Sequence, residues 1–263
     1  MARVLSAFVL LPLVFGTIWF LPSVATLVLA EVVLVIAFFE YAGLATALGA
    51  RVPRGLVAVG VAAVAASVAY DVTDVVLMAS ALVVSLVGLT TARRDGHALL
   101  DIASSLFPLL YLGLPIGALL AVQFTAGREA VVLLLAVIML SDTAQYYGGR
   151  AFGRTPLAPA ISPKKTVEGA VCGVVAGVAL TVALAGPALG QTSIARRVLL
   201  GSLIVGLGIA GDLFESQLKR GAGLKDASSL IPGHGGMLDR IDSLLFAAPG
   251  YYVFLQLGRL TGE

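Results

Sequence analysis

Residues 216–242 carry Lys219, Arg220, Lys225, Asp226, His234, Asp239, Arg240 and Asp242 in one short run of an otherwise apolar chain. Charge is costly beside lipid hydrocarbon, so a cluster of both signs around a Pro-Gly-His-Gly-Gly turn points to a polyphosphate and a divalent metal as ligands. Just before it, Asp212, Ser216 and Lys219 fall at i, i+4 and i+7 and share a face if a helix runs through them. A carboxylate, a hydroxyl and an ammonium on one stripe suit a magnesium ion bridging phosphate oxygens. The same residues also suit an interfacial helix end whose Lys219 and Arg220 snorkel to headgroups. The glycines around His234, Gly235 and Gly236 among them, let backbone amides approach an anion, although such a turn alone is most often just a turn. Asp239 and Asp242, three apart at a helix start, face one way, and Arg240 suits a phosphate fork.

Elements that could hold these residues follow from composition. Of 263 residues, 59% are hydrophobic and 12% charged, against about a quarter charged in a soluble domain. The chain therefore belongs in a membrane. A net charge of +2 and the lack of a long basic run exclude nucleic acid as a partner. The lone Cys172 excludes an intramolecular disulfide and reads as a packed thiol.

With about 20 apolar residues needed per crossing, nine spans can be marked: 4–20, 23–39, 56–70, 75–91, 102–124, 130–146, 169–185, 198–214 and 243–257. The first reads as a membrane helix rather than a secretory signal, because many apolar runs follow it. The expected fold is all-α and polytopic, with the N-terminus cytoplasmic. In that topology Arg3, Arg51, Arg54, Arg93, Arg94, Arg150, Arg154, Lys164, Lys165, Lys219, Arg220, Lys225 and Arg240 face the cytoplasm. Arg128, Arg196, Arg197 and Arg259 face the other side. Residues 1–128 then form about five N-terminal spans, and 129–263 a catalytic region with cytoplasmic loops 148–168 and 215–242. Glu31 reads as a protonated or partnered packing residue within its span, and His97 as a solvated loop residue.

A third polar segment reads Ser141-Asp142-Thr143 through Arg150 and Arg154, with Asp142 near the cytoplasmic end of an apolar helix. After it, Ser162-Pro163-Lys164-Lys165-Thr166 precedes Glu168-Gly169. Two lysines at the start of a helix with Ser162 or Thr166 near its N-cap suit a triphosphate, and equally suit a positive-inside loop. Gly169, Gly173 and Gly177 form a small-xxx-small ladder for close helix packing. Gly206, Gly208 and Gly211 formally match a dinucleotide-binding pattern, but they lie inside an apolar span with no strand before them.

Taken together, these segments resemble the phosphatidate cytidylyltransferases. The pattern S-x-x-K-R, then K-D, then P-G-H-G-G-x-x-D-R-x-D is met from Ser216 to Asp242, and Gly211-Asp212, the SPKKT-x-E-G segment and the Asp142–Arg150 segment also match. The resemblance is strong over 140–245. It extends to the N-terminal spans only in general character, as in Glu40-Tyr41. Gln145 stands where a small residue would be expected. The pattern of CDP-alcohol phosphotransferases is absent.

The resemblance implies a multi-pass enzyme of the cell inner (cytoplasmic) membrane, its active site facing the cytoplasm, that makes CDP-diacylglycerol and pyrophosphate from CTP and phosphatidic acid, with magnesium and room for a second metal ion. Asp212, Asp239 and Asp242 would hold the metal. Lys219, Lys225, Asp226, His234, Asp239 and Arg240 would act at the reacting phosphates. Asp142, Arg150, Lys164, Lys165, Ser216, Arg220, Gly235 and Gly236 would bind substrate. Partners are CTP, phosphatidic acid and membrane lipids, with a homodimer as a candidate assembly. The alternatives are a CTP-dependent transferase or kinase acting on a polyprenol or ether lipid, and a transporter. The transporter fits poorly, since nearly all charges gather at one rim.

Overall fold

Long apolar runs satisfy their backbone hydrogen bonds internally when they coil into helices, and that requirement organises this chain. The structure, a computed structural model, describes residues 2–90, 97–190, 192–228 and 235–260. Helices α1 (Ala2–Phe20), α2 (Ser23–Ala47), α3 (Arg54–Ser67) and α4 (Thr73–Thr90) come first. Helix α5 (Ala98–Pro108) continues through a π turn (Leu109–Gly113) into α6 (Leu114–Ala126). Pro108 and Pro115, which lack amides that an unbroken α ladder would use, flank this widened turn.

Helix α7 (Arg128–Phe152) is followed by strands β1 (Pro156–Ala158) and β2 (Ser162–Thr166), then α8 (Val167–Leu189), α9 (Ile194–Gly221) and α10 (Leu238–Leu260). Among the described residues there are nine helical runs, α5–α6 forming one of them, at about the places of the nine expected spans. Six of the described helices are long and apolar enough to cross a membrane: Ser23–Ala47, Thr73–Thr90, Ala98–Ala126, Arg128–Phe152, Val167–Gly186 and Ile194–Gly221. Leu11–Phe20 and Arg54–Tyr70 are shorter apolar helices. Large apolar side chains such as Val59, Leu82, Val175 and Val253 point outward, as they do in a protein solvated by lipid.

The chain divides into two units. One comprises 1–121 with 218–241, and the other 122–217 with 242–263. In the first, Leu34, Phe38, Val61, Val64, Leu109 and Leu112 are fully or almost fully buried. Tyr41 donates to the Ser104 carbonyl at 2.9 Å, tying α2 to α5, and its ring meets Phe107, which stacks on Tyr111.

The second unit is built on α7 against α8. A Cβ on Gly169 would lie 2.7 Å from the Gln145 carbonyl oxygen and one on Gly173 2.4 Å from Gln145 Cγ, so those glycines permit the close approach. Gly177 serves α9 in the same way, against Val205. The β1–β2 hairpin was not foreseen in the 148–168 segment. Lys164 and Lys165 accordingly sit on β2 rather than at a helix start, while Thr166 does cap α8 by accepting from Gly169 N at 3.2 Å.

Candidate active site

In the second unit, α7, the hairpin, α9 and residue 242 bring acidic and basic groups together. Helix α9 runs unbroken to Gly221, so Asp212 and Ser216 stand one turn apart, and the Ser216 hydroxyl reaches Asp212 Oδ1 at 3.4 Å. Lys165 Nζ pairs with Asp212 Oδ2 at 2.5 Å, both side chains being under a third exposed. Gly211 lets α9 meet residue 242 closely, since a Cβ there would lie 2.4 Å from the Asp242 carbonyl oxygen. The Asp242 carboxylate lies within electrostatic reach of Asp212, Glu215 and Asp142, and accepts from Ser243 N at 2.6 Å. Glu215 is fully buried. Gln145 donates to Asp142 Oδ1 at 3.2 Å and to Ser141 Oγ at 3.1 Å.

Below this cluster the hairpin is fastened by Glu168, whose carboxylate accepts from Arg154 N at 3.0 Å and Thr155 N at 3.2 Å. That bond fixes the strand that carries Lys165. Arg150 and Lys164 are exposed, free of the apolar packing that orders α7 and α8. Four carboxylates near one lysine form an excess of negative charge, and oxygen donors of this kind suit a hard divalent cation. Among the described residues, no three Asp, Glu, His or Cys side chains are drawn together into a ligand shell. Asp212 and Asp242 supply carboxylate oxygens of that type, not gathered into such a shell.

In the first unit, a second arrangement surrounds the start of α10. The Lys219 ammonium pairs with Asp239 Oδ1, and both side chains are about 10% exposed. Asp239 Oδ2 accepts from Gly236 N at 2.7 Å and Ala227 N at 3.2 Å. Burial pushes this carboxyl up, but the hydrogen bonds from Lys219, Gly236 and Ala227 and the Lys219 charge more than offset it and hold it below the usual range. Gly235 has φ +79°, a conformation that favours glycine, and a Cβ there would press to 2.9 Å from Asp239 Oδ2. Arg220 donates to the Leu224 carbonyl at 3.3 Å, while Lys225, Asp226 and Arg240 are exposed. His234 lies outside the described residues.

The sequence model of the Cytidylyltransferase family matches residues 1–258. The chain belongs to that family. Its relatives include a phosphatidate cytidylyltransferase of Helicobacter pylori (strain ATCC 700392 / 26695), 41% identical over 58% of this chain and 57% of its own length. Another, from Aquifex aeolicus (strain VF5), is 42% identical over 50% of this chain and 49% of its own. Phosphatidate cytidylyltransferase 5, chloroplastic, of Arabidopsis thaliana is 44% identical over 51% of this chain and 34% of its own. The chain thus spans from about a third to somewhat over half the length of these curated relatives.

Three residues that order these two arrangements received no site role in the sequence reading. Gln145 steadies Asp142, in a space that Gly173 leaves for it. Glu168 clamps the hairpin. Glu40, 8% exposed on α2, accepts from Ser228 Oγ at 2.6 Å, Met237 N at 2.9 Å and Leu238 N at 2.7 Å. For Gln145 and Glu168 a signal existed, since each stands within a polar motif. For Glu40 the sequence offered only its family-like place beside Tyr41 at the end of an apolar run.

Proposed function

We infer that this protein transfers the cytidylyl group of CTP to phosphatidate, forming CDP-diacylglycerol and pyrophosphate. An oxygen of the lipid phosphate attacks the α-phosphorus of CTP, a P–O bond forms there, and the bond to the β-phosphate breaks with its electron pair leaving on pyrophosphate. A phosphate monoester has a second pKa of about 6, so the nucleophile is already largely dianionic and needs no strong general base. The barrier is repulsion between that dianion and the triphosphate, which positive charge must relieve.

Lys165 is assigned to the triphosphate, together with Lys164 and Arg150. Glu168 supports this role by holding the hairpin on which both lysines stand. Asp212 and Asp242 are the residues that would hold magnesium, which would supply positive charge to neutralise the phosphates. Gln145 keeps Asp142 oriented. Lys219, directed by Asp239, and the exposed Lys225 and Arg240 are assigned to the lipid phosphate. The distribution of Lys and Arg supports a site on the cytoplasmic face of the inner membrane, where CTP is available.

The observation that carries this reading is the pairing of Lys165 with Asp212 amid the carboxylates around Asp242, in a chain of this family. Pyrophosphate release from CTP and magnesium by the detergent-purified chain, measured against a panel of lipid phosphates, tests it. Release with phosphatidate above polyprenyl and ether-lipid phosphates is expected. Release only with one of the others would move the assignment to that lipid, and release with none would end it.

A further inference from the structure

We propose that Glu40 is a positioning residue for the phosphate-handling turn at 235–239, acting from a helix in the N-terminal half of the chain that carries none of the assigned phosphate or metal residues. The proposal rests on the function inferred above for its kinetic consequences, and on geometry alone for its structural ones.

Helix α10 begins at Leu238, and the amides at the beginning of any helix lack carbonyl partners within it. Here the first of them and the amide just before it are satisfied from a distant part of the chain. Glu40 takes Met237 N on Oε1 at 2.9 Å and Leu238 N on Oε2 at 2.7 Å. The Ser228 hydroxyl donates to the same Oε1 at 2.6 Å, so one carboxylate grips both described sides of the 225–238 connection. A negative charge at that point also meets the positive end of the helix dipole. The fit leaves no slack, because a Cβ on Gly236 would come within 2.5 Å of Glu40 Oε2.

The consequence falls on the neighbouring residue. Asp239 receives Gly236 N and Ala227 N on one oxygen and Lys219 on the other. Gly236 and Ala227 each sit next to a residue that Glu40 holds, Met237 and Ser228 respectively. Glu40 therefore fixes the backbone frame from which Asp239 directs the Lys219 ammonium. Glutamine at position 40 keeps the volume but turns a donor toward one of the two amides, and aspartate keeps the charge on a shorter arm.

Hydrogen–deuterium exchange of the full chain in detergent, read at peptides spanning 235–242 and at peptides from α7 and α8, tests the structural half. For Glu40→Gln we expect exchange at 235–242 to rise about tenfold or more while α7 and α8 stay as in wild type. In the CTP and phosphatidate assay we expect kcat to fall about ten- to a hundredfold with the KM for CTP changed less than about threefold, and Glu40→Asp to recover part of the loss. Unchanged exchange at 235–242 would overturn the proposal. So would raised exchange spread evenly over α7 and α8, which would make Glu40 a general fold element, or a normal kcat despite a loosened turn. A wild-type protein that turns over no CTP would refute the inferred activity instead, and the exchange comparison would still judge Glu40.

Discussion

The approach of α9 to residue 242 depends on the absence of a single methyl group, and Gly211→Ala puts it back. The new Cβ would start 2.4 Å from the Asp242 carbonyl oxygen, where ordinary contact begins at 3.4 Å, and it would lie 3.3 Å from the Asp242 carbonyl carbon and Phe246 Cβ. The obstacle is backbone, so it cannot rotate aside, and the two segments must separate by about 1 Å. Alanine gains about 1 kcal/mol over glycine in a helix interior, whereas overpacking costs about 1–3 kcal/mol, so net destabilisation is at most about 2 kcal/mol. Activity should suffer far more. A misplacement of about 1 Å between Asp212 and Asp242 is worth roughly a hundredfold in rate.

Gly206→Ala is the control on the same helix, because a Cβ there meets nothing within 4 Å. It should melt at or above the wild-type temperature and turn over CTP normally. Thermal melts and kcat/KM on the two purified variants make the comparison. Equal turnover by Gly211→Ala and Gly206→Ala would refute the claim that the spacing of these carboxylates matters.

Other outcomes follow from the same contacts. Gly235→Ala should lose activity and roughly 1 kcal/mol of stability, measured by melting, because φ +79° disfavours a side chain and Asp239 Oδ2 stands in its way. Asp239 is held below the usual carboxylate range, so its contribution to stability is complete above the unfolded value of about 4 and disappears as pH falls through the lower folded value. The melting difference between wild type and Asp239→Asn should accordingly be largest near neutral pH and shrink below about pH 4. Chelation by EDTA should abolish turnover and added magnesium restore it, with Asp242→Asn needing roughly tenfold more magnesium or beyond for half-maximal rate. Lys165→Met should raise the KM for CTP in steady-state assays, since it removes the cation beside Asp212.

Much of the architecture was readable because apolar run length sets helix length directly. The helical course through Asp212, Ser216 and Lys219, the helix start that carries Asp239 and Asp242, the Thr166 cap and the packing of Gly169, Gly173 and Gly177 all follow from local patterns. The hairpin escaped notice because a three-residue and a five-residue strand leave little periodicity to read. It is held by backbone pairing and by Glu168 receiving amides 13 and 14 residues earlier. Glu40 escaped for a stronger reason. Its partners are 188 to 198 residues away and two of the three are backbone amides, which every residue but proline possesses, so no side-chain pattern marks them.

Transfer of label from CTP to lipid bears most directly on whether the acidic cluster and Lys165 serve nucleotidyl transfer. CTP labelled at the α-phosphorus should place its label in the lipid fraction with phosphatidate and magnesium, with one pyrophosphate released per lipid formed, and Asp212→Asn should suppress it. Label entering lipid from the γ-phosphorus instead, or undiminished α-transfer by Asp212→Asn, would contradict the mechanism.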